Sequence, residues 1–300
     1  MFSKLLIPLD GSNTAEKVLP FARILAATLK LPIELLEVVD IAAATAHIAA
    51  DKARYLDKII TEGEIASREH LAEIAATFAG LHVTCKVIRG RPADLIIERA
   101  EADKGTLIAM ATHGRSGINR WMMGSVAEKV LRGTRVPLFL VRAGDEASAD
   151  RTFAIKSILV PLDGSELAES ALPTVSEVAN KLNVEIILCR AYELAATAYY
   201  GSEDYVPKYD EMLRELKVEV EDYLTRKAQG LKSTGLAKVS WVALEGSAAE
   251  EIVRYANAHP DVLVAMCTHG RSGVSRWTLG SVTEKVVRHS DEPVLVLHAA

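Results

Sequence analysis

One stretch of this chain occurs twice, and it limits what the chain can fold into. Ala111-Thr112-His113-Gly114-Arg115-Ser116-Gly117 runs on through Trp121 to Gly124-Ser125-Val126-Ala127-Glu128-Lys129-Val130. Cys267-Thr268-His269-Gly270-Arg271-Ser272-Gly273 leads through Trp277 to Gly280-Ser281-Val282-Thr283-Glu284-Lys285-Val286. Over 111–131 against 267–287, 14 of 21 positions are identical. An apolar run precedes each copy, Leu107 to Met110 and Val262 to Met266, and a helical pattern follows each. Each copy therefore reads as strand, glycine-containing loop and helix start. That layout turns backbone N–H groups toward an anion, with the helix dipole behind them.

A chain of 300 residues is long enough for about two domains, and the repeat makes that division concrete. With 49% hydrophobic and 25% charged residues, the composition can bury a substantial core. A net charge of −5 gives no reason to expect nucleic acid or an anionic membrane as partner. The uncharged apolar stretch Ile41 to Ala50 is far shorter than the roughly 20 residues of a membrane span. Met1-Phe2-Ser3-Lys4 lacks a signal-peptide layout. Cys85, Cys189 and Cys267 have no CxxC spacing, so they read as free thiols in a reducing cytoplasm, with no zinc site.

The doubling extends beyond the loop. Lys4 to Leu9 is a short apolar run ending in Pro8-Leu9-Asp10-Gly11-Ser12, and Ser157 to Leu162 ends in Pro161-Leu162-Asp163-Gly164-Ser165. Each is a strand that stops at a turn, because proline cannot donate to a ladder further along. A helix follows each, with Val18, Phe21, Ala22, Leu25, Ala26 and Leu29 on one face, and Leu172, Val175, Val178, Ala179 and Leu182 in the second half. Ser12 or Asn13 can cap the first and Ser165 the second. Strands are expected at Ile33–Val39 and Val184–Ala191, then long helices at roughly 52–78 and 208–229. The second half must gain three residues between its first strand and its loop, and the connection Glu193–Pro207 is the expected place. Strands at Val83–Ile88 and Lys238–Leu244, a further helix, the signature loop and last strands at Val136–Val141 and Pro293–Leu297 complete the halves. The alternation β-α-β-α-β-α-β-α-β means a parallel sheet with helices on both faces. The small, polar run from Ala143 reads as the linker, giving domains 1–144 and 153–300 joined by 145–152. The apolar last strands would otherwise be exposed edges, so they are expected to pair with each other in an intramolecular pseudo-dimer.

A strand ending in Pro-Leu-Asp-Gly-Ser, a late Thr-His-Gly-Arg-Ser-Gly, and nine residues between Gly114 and Gly124-Ser125 together resemble the universal stress protein family, in its tandem-domain form. The resemblance covers both halves. It implies a doubly wound α/β sheet of strand order 3-2-1-4-5 in each half and, in one branch of the family, ATP binding through Gly-x2-Gly-x9-Gly-Ser/Thr. Here Ala111 and Cys267 replace the first glycine, and their Cβ atoms would crowd a nucleotide if the loop needed positive φ or close approach there. Carried over, Asp10 and Asp163, with Pro8, Ser12, Pro161 and Ser165 around them, would contact the nucleoside. The backbone of Val38 and Ala191 would line the adenine pocket. Met110, Ala111, His113, Gly114, Arg115, Gly124, Ser125 and Val126 would hold ribose and phosphates in the first half. Met266, Cys267, His269, Gly270, Arg271, Gly280, Ser281 and Val282 would do so in the second.

Simpler readings stand beside these. Ser125 with Glu128, and Ser281 with Glu284, have capping-box spacing. Asp10 and Asp163 are also ordinary turn residues before glycine. His113 and His269 are structural loop histidines or catalytic groups, Arg115 and Arg271 offset phosphate or are solvated, and Trp121 and Trp277, with Met122 and Leu279, are expected to pack beneath the loop rather than stack on a base. Tyr199, Tyr200 and Tyr205 form a lid or a surface connection. No Walker sequence is present, so the lysine of efficient NTPases is missing from its expected place. The expectation is a cytoplasmic stress-response regulator that holds ATP, ADP or AMP, with Mg2+, hydrolyses it slowly or not at all, and is read by a regulatory protein partner. The alternatives are a nucleotide-free dimerisation scaffold and a slow ATP hydrolase. A homodimer of chains is a second option for assembly.

Overall fold

The computed structural model describes residues 2–41, 56–112, 123–142, 154–194, 206–268 and 279–298. They fall into two compact units that divide between Ala154 and Ile155. In the first, the strands are β1 (Lys4–Leu9), β2 (Ile33–Val39), β3 (Val83–Arg89), β4 (Thr106–Ala111) and β5 (Leu138–Val141). The helices are α1 (Asn13–Glu16), α2 (Leu19–Leu29), α3 (Leu56–Ala76), α4 (Pro92–Glu101) and α5 (Ser125–Gly133). The second unit repeats the series with β6 (Ser157–Pro161), β7 (Glu185–Tyr192), β8 (Val239–Glu245), β9 (Val262–Cys267) and β10 (Val294–Leu297). Its helices are α6 (Glu166–Glu169), α7 (Leu172–Leu182), α8 (Val206–Ser233), α9 (Ala248–Ala258) and α10 (Ser281–His289).

Every pairing within a unit is parallel, and the strand order is 3-2-1-4-5 in both. A parallel sheet covered on both faces needs central strands that are apolar throughout. Leu5, Leu6, Ile7, Leu35, Leu36, Leu107, Ile108 and Phe139 are accordingly all buried. Burying each such side chain contributes about 1.5–3 kcal/mol relative to exposure. The α2 face read from the sequence is buried in full, and Phe21 meets Phe139 at 5.9 Å between ring centroids. Glu34 interrupts the apolar pattern of β2 and lies buried between Lys4 at 3.0 Å and Arg99 at 2.5 Å. Burial opposes its ionisation, but these two cations prevail and hold its carboxyl below the ordinary range.

The prolines shape the sheet where it matters. Pro8 still pairs with Leu36 of β2, whereas the ladder to β4 ends at Leu6↔Ile108. Pro161 pairs with Cys189 while β6–β9 ends at Leu159↔Val264. Beyond those points β1 and β4, and β6 and β9, have no further ladder pairs. A cleft opens there, where the strand order reverses, which is the general place for ligands in open α/β sheets.

Two expectations are corrected. The helix after the first strand is broken: a one-turn helix capped by Ser12 or Ser165 precedes a second that starts at Leu19 or Leu172. Pro20 and Pro173, in the first turns of the second helices, have no N–H to continue the first ones. The three extra residues of the second half do not lengthen the connection after β7. Val39 and Tyr192 end their strands in matching register, and His70 and Tyr223, at the same separation, contact the equivalent Glu16 and Glu169. The gain falls later and extends α8 to Ser233, where α3 stops at Ala76.

Candidate functional site

The first cleft begins with the turn after β1. Asp10 Oδ1 accepts hydrogen bonds from Ser12 N at 3.0 Å and Ser12 Oγ at 2.5 Å, and Ser12 Oγ in turn accepts from Ala15 N at 3.1 Å. Gly11, at φ 73°, supplies the left-handed residue that the turn requires. The second half repeats this with Asp163, Ser165 and Ala168 at 2.9, 2.6 and 3.2 Å, around Gly164 at φ 87°. The aspartate is thus both a turn residue and a wall of the cleft, and the serine is a cap whose hydroxyl is already engaged on both sides.

Opposite stands the start of α5. Gly124 N donates to the carbonyl of Thr112 at 2.7 Å, which closes the loop at its neck, and Gly280 N does the same to Thr268 at 2.8 Å. The capping-box expectation fails here. Gly124 and Gly280 are the N-caps, with no side-chain cap, and Ser125 and Ser281 are exposed first residues of their helices. The glutamates turn away to Arg132 at 3.3 Å and Arg288 at 3.0 Å. A glycine cap has no side-chain oxygen to offer, so the cap residue itself leaves the first-turn N–H groups without a side-chain acceptor.

These pieces enclose a cavity of about 890 Å³ in the first half. Pro8, Asp10, Val38, Met110, Ala111, Gly124, Ser125 and Val126 line it. A cavity of about 440 Å³ in the second half is lined by Pro161, Asp163, Ala191, Met266, Cys267, Gly280, Ser281 and Val282. The structure thus brings these sequence-predicted residues together. Ser12 and Ser165 sit behind the wall as caps. His113, Gly114, Arg115, Trp121, Met122, His269, Gly270, Arg271, Trp277, the three tyrosines Tyr199, Tyr200 and Tyr205, and the linker 145–152 lie outside the described residues.

Ala111 and Cys267, in place of the first motif glycine, are the last residues of β4 and β9, and neither has positive φ. A side chain at that position is therefore unstrained. Cys267 points its thiol at the α6–α7 corner, 3.4 Å from Ser170 Oγ, and burial raises its pKa despite that contact. All three thiols are free, with Cys85 exposed and the other two buried.

Sequence reasoning missed the long-helix side of each cleft. In the first, buried Glu37 accepts from Ser67 Oγ at 2.8 Å and faces His70 Nδ1 at 3.0 Å, while His70 Nε2 lies 3.2 Å from Glu16. Glu37, Ser67 and His70 all line the cavity. Both ring nitrogens face carboxylate oxygens, which can only accept, so the ring satisfies both only as imidazolium. Burial works against that charge, but the hydrogen bonds to Glu37 and Glu16 outweigh it, and the His70 pKa is raised above 6.5. The matching site in the second half holds different groups. Glu169 accepts from Tyr223 Oη at 2.8 Å and Lys227 Nζ at 2.6 Å, and Arg190 lies over the Tyr223 ring. The only prior signal was a charged residue inside each apolar second strand. Among the described residues, no group of three or more His, Cys, Asp or Glu could hold a metal ion. No helix there is long and apolar enough to cross a membrane.

The family model described as the universal stress protein family matches residues 1–142 and again 154–298. The chain belongs to the universal stress protein family. A universal stress protein of Archaeoglobus fulgidus has a similar structure over 99% of this chain and 98% of its own, with TM-score 0.71 and 23% identity. Universal stress protein MJ0577 of Methanocaldococcus jannaschii is 31% identical over 153 residues, covering 47% of this chain and 94% of its own length. Universal stress protein Rv2005c of Mycobacterium tuberculosis is 23% identical over 216 residues, 72% of this chain and 69% of its own. The universal stress protein fold thus occurs twice here, in tandem.

Proposed function

We propose that this universal stress protein binds an adenine nucleotide, foremost in its first cleft, and acts as a regulator rather than an efficient catalyst. The observation that carries the reading is the open start of α5. Gly124 leaves the helix end without a side-chain cap, in the wall of a cavity whose other walls are Val38 and Asp10. Phosphate suits the helix end. The β2 backbone at Val38 suits the edge of a base, and the Asp10 carboxylate suits ribose hydroxyls. The residues fit such a ligand, and any Mg2+ would arrive held by its phosphates, since the described residues form no metal cage. The smaller second cavity, which Cys267 helps to line, supports the same ligand class with less room. Occupancy would shift the population of a conformer that a partner protein reads.

Ser125→Glu tests the reading. A carboxylate in the first turn favours the helix itself yet occupies and repels the phosphate position. ATP at a hundredfold over its Kd should stabilise the wild-type protein by about 2.7 kcal/mol, seen as a rise in Tm. In Ser125→Glu that rise should shrink or vanish while the ligand-free Tm holds. A wild-type protein indifferent to ATP, ADP and AMP would remove the proposal. Turnover on the order of 1–1,000 per second would instead make it an enzyme.

A further inference from the structure

The two clefts differ in charge at one equivalent position. Pro8 pairs with Leu36 and Pro161 with Cys189, so the next residues, Glu37 and Arg190, match in register. Glu37 is fully used by Ser67 and His70. Arg190 is not used in this way. Its side chain is 9% exposed and lines the second cleft. Its charged neighbour is Glu219, at 3.9 Å and beyond hydrogen-bond reach, with a side chain 68% exposed. The guanidinium lies 4.9 Å from the centre of the Tyr223 ring. The groups that could have paired with it are already engaged: Glu169 is taken by Tyr223 and Lys227, and Asp163 Oδ1 by Ser165. A guanidinium has five N–H donors in a rigid fork, and those of Arg190 border the cleft, where a ligand anion would supply fixed acceptors.

We propose that Arg190 is the specificity-determining residue of the second cleft, receiving an anionic group of the ligand, so that this cleft selects compact ligands anionic at two ends. The other end is received by the α10 N-terminus, where Gly280 leaves no side-chain cap. Arg190 stands on β7 and α10 follows β9, with β6 between them. Two strand spacings separate the positions by about 10 Å, which a mononucleotide phosphorylated on both sides of its ribose can span. In the first cleft the equivalent Glu37 is already held by Ser67 and His70, so no guanidinium stands there to give such a ligand the same reception. This inference rests on the nucleotide reading only for its two nucleotide probes.

The test compares AMP, adenosine 3′,5′-bisphosphate and inorganic pyrophosphate on wild-type, Arg190→Met and Arg190→Lys protein, by calorimetry and thermal shift. Hydrogen bonds to a charged group at this strength correspond to about a ten- to hundredfold affinity change. Arg190→Met should lose that factor for the bisphosphate at one site per chain, change AMP binding less than about twofold, and leave the ligand-free Tm unchanged or raised. Arg190→Lys should fall between, since it keeps the charge and loses the fork. A structural arginine would give the reverse: a lower ligand-free Tm with bisphosphate preference intact, which overturns the proposal. Should neither nucleotide bind the wild type, the nucleotide reading falls, and pyrophosphate decides alone. A stabilisation by pyrophosphate that disappears in Arg190→Met sustains the role of Arg190, and equal or absent shifts in both proteins overturn it.

Discussion

Replacing His70 by glutamine probes the buried polar core of the first cleft. In the wild type the imidazolium bridges Glu37 and Glu16 at 3.0 and 3.2 Å, and Glu37 is only 6% exposed. Glutamine can donate to one carboxylate but carries no charge. A charge-assisted hydrogen bond contributes about 1.5–3 kcal/mol, and the bond to the more exposed Glu16 adds less through solvent screening. The expected loss at pH 6 is about 2–3 kcal/mol. A domain of this size shifts by about 2–4 °C per kcal/mol, so the first unit should melt about 4–12 °C lower. The pH dependence follows from the direction of the shift. The folded-state pKa of His70 lies above its ordinary 6.5, so the folded form binds the proton more tightly than the unfolded chain. Its contribution is complete below about pH 6.5 and is lost as the pH rises through the raised folded value. The gap between wild type and His70→Gln should therefore narrow from pH 6 toward pH 9. Urea unfolding at several pH values, with hydrogen exchange over Leu56–Ala76 to isolate the first unit, measures it. A gap below 0.5 kcal/mol at pH 6, or one that widens as pH rises, would refute the ion-bridge account.

Further outcomes are expected elsewhere. Ser12→Ala and Ser165→Ala each remove a cap and the partner of a turn aspartate, and each should cost about 1 kcal/mol. In the double variant the losses should add within about 0.5 kcal/mol in a denaturation series, because they affect separate caps. Alkylation of native protein at pH 8, read by mass spectrometry, should modify exposed Cys85 and spare buried Cys189 and Cys267. Burial raises the pKa of all three thiols, so accessibility decides the order, and full modification should need denaturant.

The legible part of this protein lay in short-range pattern. Apolar runs marked β1, β2, β4 and their counterparts, and the spacing of Val18, Phe21, Leu25 and Leu29 marked one buried face. The repeated Gly-Ser step marked where α5 and α10 begin. The misreadings were also local. Ser125 and Glu128 have capping-box spacing, but the backbone places the extended cap residue at Gly124, one position earlier. A spacing rule cannot see one residue of offset. Likewise a continuous apolar face did not reveal that a new helix starts at Leu19, with Pro20 in its first turn, instead of the old one continuing.

By itself the sequence determined a doubled α/β chain, with aspartate turns and helices that start at the Gly-Ser steps, because each of these depends on neighbours within a few residues. Tertiary structure alone decided that His70 meets Glu37 across 33 positions and Glu16 across 54, and that Glu169 takes Tyr223 and Lys227 and leaves Arg190 facing the second cleft. Those contacts depend on strand order and register, which place side chains from distant segments at one end of a sheet. Two halves with nearly the same local code can therefore carry opposite charge at the same place.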